Sequence, residues 1–145
     1  MPGTPASGQN ARGVPALTVQ TDRKTQLVDV TLLVREAIAG SPGDLVTVFV
    51  PHTTAGVVLQ AAGEGARAVA SDLEAAFDRL IDEGWSWQHT EEGDRNPWAH
   101  ARSALTASSV TIPLLNGELG MGDHQAVFLC EFDGPRNRTL IVTAH

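Results

Sequence analysis

The chain has 145 residues, 42% of them hydrophobic and 19% charged, with a formal net charge of −7. That length suits one domain with a sizeable core, and the residue balance is that of a globular protein. The acidic excess, Asp+Glu 17 against Lys+Arg 10, argues against a general nucleic-acid or anionic-membrane surface, since both need a basic face.

No apolar run approaches the ~20 residues of a membrane span. The N-terminal text lacks the apolar middle of a signal peptide. The expectation is a soluble cytoplasmic protein with no membrane or nucleic-acid partner. Cys130 is the single cysteine, so no intrachain disulfide forms. It lies in the apolar run Ala126 to Cys130 and reads as a small buried hydrophobe.

Residues 1–15 carry Pro2, Pro5 and Pro15 among small residues and are expected to form a flexible tail. Residues 16–145 are then one domain. Leu17 to Thr21 alternates apolar and polar, the period of a half-buried strand, and Gln26 to Val30 reads as a second strand. Thr31 is a candidate cap for a short helix from Leu32 to Ala39, which Gly40 to Gly43 ends. Asp44 to Val50 is almost continuously apolar, the mark of a strand covered on both faces.

Pro51 stops that strand. Val57 to Gln60 resumes extended structure. Ala66 to Ile81 predicts the longest helix, with Val69, Leu73, Ala76, Phe77, Leu80 and Ile81 on the inner face and Glu74 and Asp78 on the other. Trp98 to Thr106 predicts a short helix with Asn96 as cap and Pro97 at its first position. Ser109 to Leu114 is a strand that Pro113 assigns to an edge or a bulge. Asn116-Gly117 signals a tight turn. Ala126 to Phe132 and Arg138 to Ala144 flank Asp133-Gly134-Pro135, which reads as a hairpin turn. The order predicts an α+β, mainly β fold: a two-layer antiparallel β-sandwich with one long and one or two short helices packed on it.

Three segments carry chemistry. Asp94 to His100 packs an acid, an amide and an imidazole into seven positions, with His89 before it and Arg102 after it. His52-Thr53-Thr54 follows a strand end, and Gln125 to Arg136 forms the third segment. His52, His89 and His100 sit at the edges of predicted elements, where sites are usually built. His145, the last residue of the sequence, reads as exposed.

Histidines with carboxylates suit zinc or a similar ion, although no His-Glu-x-x-His and no paired cysteines are present. Alternatively the imidazoles, the Thr53 and Thr54 hydroxyls, Arg102 and Arg136 hold a phosphate, with Asp94 or Glu131 orienting a histidine or binding magnesium. Ser103, Ser108 and Ser109 lack a nucleophile elbow, which disfavours covalent catalysis. Trp85 and Trp87 read as a cap on the core or on a subunit contact.

The blocks Val50-Pro51-His52-Thr53-Thr54-Ala55-Gly56, His89 through Asn96 to Ala99-His100, Ser109 to Pro113, and Leu129-Cys130-Glu131-Phe132-Asp133-Gly134-Pro135-Arg136 resemble the YjbQ family. This is an uncharacterised family sometimes labelled secondary thiamine-phosphate synthase. The resemblance implies a YjbQ-like sandwich, a homotrimer, and a cleft lined by His52, Thr53, Thr54, His89, Asp94, Asn96, His100, Gln125, Glu131 and Arg136.

It also implies a small enzyme acting on a phosphorylated molecule. Its nominal reaction joins a hydroxymethylpyrimidine diphosphate to a thiazole phosphate. On that reading His52, His100 and Asp94 are catalytic. Thr53, Thr54, Asn96, Arg102, Gln125 and Arg136 bind the substrate or anion. His52, His89, His100 and Glu131 are the candidate ligands for Mg2+ or Zn2+. The alternative is a non-catalytic metal- or anion-binding trimeric protein. Two departures stand out: Gln60-Ala61 replaces the family's Asn-Glu, and Gly122-Asp123-His124-Gln125 replaces its Gly-Thr-Trp-Gln.

Overall fold

The computed structural model describes residues 7–9, 15–91 and 95–145. The strands are β1 (Ser7–Gln9), β2 (Pro15–Gln20), β3 (Gln26–Asp29), β4 (Leu45–Phe49), β5 (Ala55–Ala61), β6 (Ser109–Leu115), β7 (Glu118–Leu119), β8 (Gln125–Glu131) and β9 (Asn137–Ala144). The helices are α1 (Thr31–Ile38), α2 (Ala66–Leu80) and α3 (Pro97–Ala104). Three residues of the expected tail, Ser7–Gln9, pair with β2. Pro15, the last residue of that tail, opens β2 and pairs with Gln9, and residues 1–6 and 10–14 lie outside the described residues.

The strands form two antiparallel sheets. One has six strands in the order β1-β2-β9-β4-β6-β7, and the other has three in the order β3-β8-β5. Between the sheets lies a core of Val46, Val48, Ile112, Val127, Leu129, Leu140 and Val142, joined by Val34 and Ile38 from α1. A second core, containing Ala99, Phe128, Cys130 and Phe132, lies beyond the three-stranded sheet, with Leu73 and Phe77 of α2 packed against it. Fully burying each valine, leucine, isoleucine or phenylalanine side chain contributes about 1.5–3 kcal/mol.

β8 is therefore the strand covered on both faces. Val127 and Leu129 alternate with Ala126, Phe128 and Cys130 between the two cores. Double coverage was expected of residues 44–50. In β4 only Val46 and Val48 are buried, while Leu45 and Phe49 stay 39% and 41% exposed, because no described helix packs on the outer face of the six-stranded sheet.

The expected hairpin between Ala126–Phe132 and Arg138–Ala144 is a crossover. β3 and β5 occupy both edges of β8, so β9 enters the other sheet between β2 and β4. Gly134 is needed at this crossing, where a Cβ would lie 2.1 Å from the Arg23 carbonyl oxygen. The Asn116-Gly117 turn does close a hairpin, β6–β7, with both residues at positive φ.

Two helix details also differ from expectation. Val30 rather than Thr31 is the α1 N-cap. The Asp29 carboxylate accepts from Thr31 N–H, and the Thr31 hydroxyl accepts from Val127 N–H. On α2, Glu74 turns toward the sheet instead of away from it. It accepts from Leu27 N–H (2.8 Å) and from Arg23. Leu80 is 61% exposed and Ala76 is exposed as well, so the covered stripe of α2 is the narrower one of Val69, Leu73, Phe77 and Ile81.

Candidate functional site

The Glu131 end of β8 gathers most of the predicted polar residues. Glu131 and Arg138 point into the layer between the sheets, on the same alternation as Leu129 and Leu140. Arg138 donates through Nε to Glu131 Oε2 (2.7 Å) and through Nη2 to Oε1 and to Thr54 Oγ1 (2.8 Å). Thr21 Oγ1 and Asp133 N–H also donate to the Glu131 carboxylate, both at 2.9 Å. Four donors thus fill a carboxylate that is wholly buried. Glu131 acts here as one half of a structural ion pair, and Thr54 is a member of the same network.

His52 sits beside this pair. Thr139 N–H donates to its Nε2 (2.9 Å), so that nitrogen carries a lone pair and the proton resides on Nδ1. Burial, followed by the charge of Arg138, pushes the His52 pKa below 6.5. Geometry and electrostatics therefore agree on a neutral imidazole. Thr53 is exposed.

A second network runs outward from the same crossover. Arg136 donates to Asp133, through Nε to the carbonyl oxygen (2.8 Å) and through Nη2 to the carboxylate (2.6 Å). Asn96 Nδ2 donates to the same Asp133 oxygen (2.7 Å), which turns its Oδ1 toward His89 Nε2 at 3.0 Å. Asn96 was expected to cap α3. Its side chain makes no capping bond and bridges Asp133 to His89 instead. On the other side of the ring, His89 Nδ1 meets Glu91. A backbone amide and the His89 ring hold the Glu91 carboxyl below the usual carboxylate range. With acceptors at both nitrogens, His89 has the bonding pattern of an imidazolium.

His100 meets His89 edge to face, with ring centroids 5.4 Å apart. The two histidines, Trp87, Pro97, Ser86 and Ala101 line an open cleft of about 730 Å³. Trp87 stacks on exposed Trp85 at 5.6 Å. Trp87 thus forms a cleft wall, backed by Trp85, and the pair does not cap the buried core. His100 forms no hydrogen bond among the described residues, which leaves its ring nitrogens available to a ligand.

Two predicted residues are placed elsewhere. Arg102 is 1% exposed under the C-terminus of α2. It donates to the Ile81 carbonyl (2.8 Å), and its Nη1 lies 3.1 Å from Asp78 Oδ1 in a charge contact too bent to be a hydrogen bond. Gln125 occupies the far end of β8, roughly 20 Å from Glu131 at about 3.4 Å per residue, and its Oε1 accepts from Gly122 N–H. Asp94 lies outside the described residues. Among those residues no three His, Cys, Asp or Glu side chains converge on a point suited to a metal ion. The described side chains therefore do not by themselves form a three-ligand magnesium or zinc site. Burial pushes the Cys130 thiol up to about 12, too high for a thiolate nucleophile near neutral pH.

Asp133 and Arg138 were missed as site residues. Arg138 shares an inward alternation with Leu140 and Val142, so its charge demanded a buried partner. Asp133 stands three residues before Arg136, a spacing that the turn reading of Asp133-Gly134-Pro135 concealed.

These features define a small β-sandwich protein with an imidazole- and indole-lined cleft. The family model described as UPF0047 protein YjbQ-like matches residues 15–145, and the chain belongs to that family. A UPF0047 protein of Archaeoglobus fulgidus is 34% identical over 128 residues, 88% of this chain and 98% of the relative. One from Synechocystis is 42% identical over 72% of this chain and 71% of the relative.

Among solved structures, an uncharacterised YjbQ/UPF0047 protein from Clostridium acetobutylicum aligns with a TM-score of 0.79 at 32% identity, covering 88% of this chain and 97% of that one. A hypothetical protein from Aeropyrum pernix aligns at 0.80 and 34%, covering 88% and 94%. The two departures noted from the family text meet in space. Ala61 pairs with Gln125 across β5 and β8, and Ala62 N–H donates to the His124 carbonyl (2.9 Å).

Proposed function

We propose that the cleft is the site of an enzyme acting on a phosphorylated small molecule, with thiamine phosphate synthesis as its nominal reaction. The observation that carries this reading is the chain from Arg136 through Asp133 and Asn96 to His89. It holds the His89 ring, with an acceptor facing each ring nitrogen, on a cleft wall beside His100, which has no hydrogen-bonding partner among the described residues. In the nominal reaction the bond from the pyrimidine methylene to the diphosphate oxygen breaks. Pyrophosphate leaves with the electron pair, and the thiazole nitrogen lone pair forms the new carbon–nitrogen bond. His100 is the group suited to protonate the leaving oxygen. His89 is the cleft group set to oppose the developing negative charge, and Arg136 supports it from behind through Asp133 and Asn96. Trp87 offers a flat wall to a heteroaromatic ring.

The reading is tested by incubating purified protein with both precursors and magnesium. His100→Ala is expected to lower product formation by about 10²-fold or more, the usual range of a lost acid or base. Turnover equal in wild type and variant would remove His100 from the mechanism.

The alternative, a non-catalytic anion-binding trimer, draws support from the outer face of the six-stranded sheet. Leu45, Phe49 and Leu115 are exposed there, a surface on which copies of the chain would pack. It predicts saturable pyrophosphate binding with no product, together with a trimer that Phe49→Glu dissociates in light-scattering measurements.

A further inference from the structure

The opposite end of β8 carries a second pocket, of about 400 Å³, which the proposed reaction does not use. Its volume falls in the range of small-ligand sites. Leu119, Met121 and Ala62 give it an apolar wall. Its rim carries two opposite charges, Arg35 and Asp123. Neither forms an ion pair or a hydrogen bond with a described residue, and they do not pair with each other. Asp29, the second carboxylate of the lining, accepts from Thr31 N–H at 2.9 Å through Oδ1 (the start of α1) and keeps its negative charge, so the ammonium side of the pocket has two carboxylates and the carboxylate side one guanidinium. Gln125 keeps its amide N–H groups available, because only its oxygen is engaged, by Gly122 N–H.

We infer that this pocket binds a zwitterionic amino acid with an apolar side chain. Arg35 and the Gln125 amide offer donors to a carboxylate. Asp123 offers an acceptor to an ammonium group. Leu119, Met121 and Ala62 take the side chain out of water. Two opposite charges facing one ligand-sized space without closing on each other match a dipolar ligand better than an ion of either sign. A simple anion would meet Asp123, and a simple amine would meet Arg35.

The sequence provides a local reporter. It has two methionines, Met1 and Met121, so in full-length protein carrying labelled methionine methyls one of only two signals belongs to the pocket. Titration with leucine is expected to move the Met121 signal to saturation. Isoamylamine, which lacks the carboxylate, and isocaproate, which lacks the ammonium, are each expected to bind at least about tenfold more weakly, the cost of one charge-assisted contact. Arg35→Ala and Asp123→Ala are expected to weaken leucine by a similar factor without moving the thermal midpoint, since neither side chain has a partner in the fold. No shift of the Met121 signal at about 10 mM leucine, a concentration that would still register a millimolar site, overturns the proposal. So does either half-ligand binding as tightly as leucine, or leucine binding that both substitutions leave unchanged.

Discussion

Two charged networks share the crossover between β8 and β9, and they are built on opposite principles. The Glu131–Arg138 pair is sealed. Its side chains are 0% and 5% exposed, and Thr21, Thr54 and Asp133 N–H complete its hydrogen bonding. The chain from Arg136 to His89 is open, with Arg136 49% exposed and His89 ending at a cleft. The same residue types therefore do different work. The sealed pair fixes how two sheets meet, because it ties β9 of one sheet to β8 of the other. The open chain holds an imidazole at a wall that a ligand can reach. Burial and the filling of lone pairs distinguish them, rather than residue identity.

The largest expected effect comes from unsealing the buried pair. Glu131→Gln leaves Arg138 charged in the core and should cost about 3–5 kcal/mol, measured as a shift in the urea midpoint. Replacing both partners, Glu131→Leu with Arg138→Met, should recover much of that loss. A double variant no more stable than Glu131→Gln alone would show that the pair contributes more than its mutual neutralisation.

Next comes the junction residue of the open chain. Asn96 is 5% exposed and bridges Asp133 to His89. Asn96→Ala should cost about 1–3 kcal/mol, the range for a broken buried hydrogen bond. It should also release His89, visible as a change in its ring resonances. An unchanged His89 spectrum would place the hold on that ring elsewhere.

A pH effect follows from His52. Its folded-state pKa lies below the unfolded value near 6.5. The unfolded chain therefore takes up a proton first as pH falls. The stability contribution of neutral His52 is complete above about 6.5 and declines as pH drops from there toward the folded pKa. His52→Gln retains an acceptor for Thr139 N–H and should flatten this part of the thermal midpoint profile. An identical slope in wild type and variant would assign the dependence to other groups.

The smallest effect on stability is expected at the exposed end of the open chain. Arg136→Ala should cost no more than about 1 kcal/mol, the range of surface ion pairs, while weakening pyrophosphate binding in calorimetry. Loss of stability without loss of binding would reverse the contrast between the two networks.

Much of the architecture was legible in the residues. The strand periods, the Asn116-Gly117 turn and the three helices lie where alternation, small residues and Pro97 indicated. What escaped was pairing between distant segments. Asp133-Gly134-Pro135 has the composition of a hairpin turn, and only the occupied edges of β8 make it a crossover. Glu74 reads as a solvent-facing acid on helical spacing until Leu27 N–H and Arg23 claim it. The candidate site was legible in the same uneven way. His89, Asn96 and His100 stand close in sequence and do come together. Arg102 belongs to the same local text, yet the end of α2 draws it inward to satisfy free carbonyls. Gln125 shares a strand with Glu131, but a strand extends, and seven residues place its two ends on different surfaces.

The position of β9 bears on how the chain reaches this state. It lies inside the six-stranded sheet, yet it comes last of the elements in chain order, and it joins β2 across about 120 residues. Until residues 137–144 dock, β1-β2 and β4-β6-β7 are separate halves with unsatisfied edges. The loop-closure entropy must be met before the sheet's central contacts form, which is the signature of slow, high-contact-order folding. Nascent or unfolded chains should therefore expose two open strand edges, a template for wrong pairing with one another.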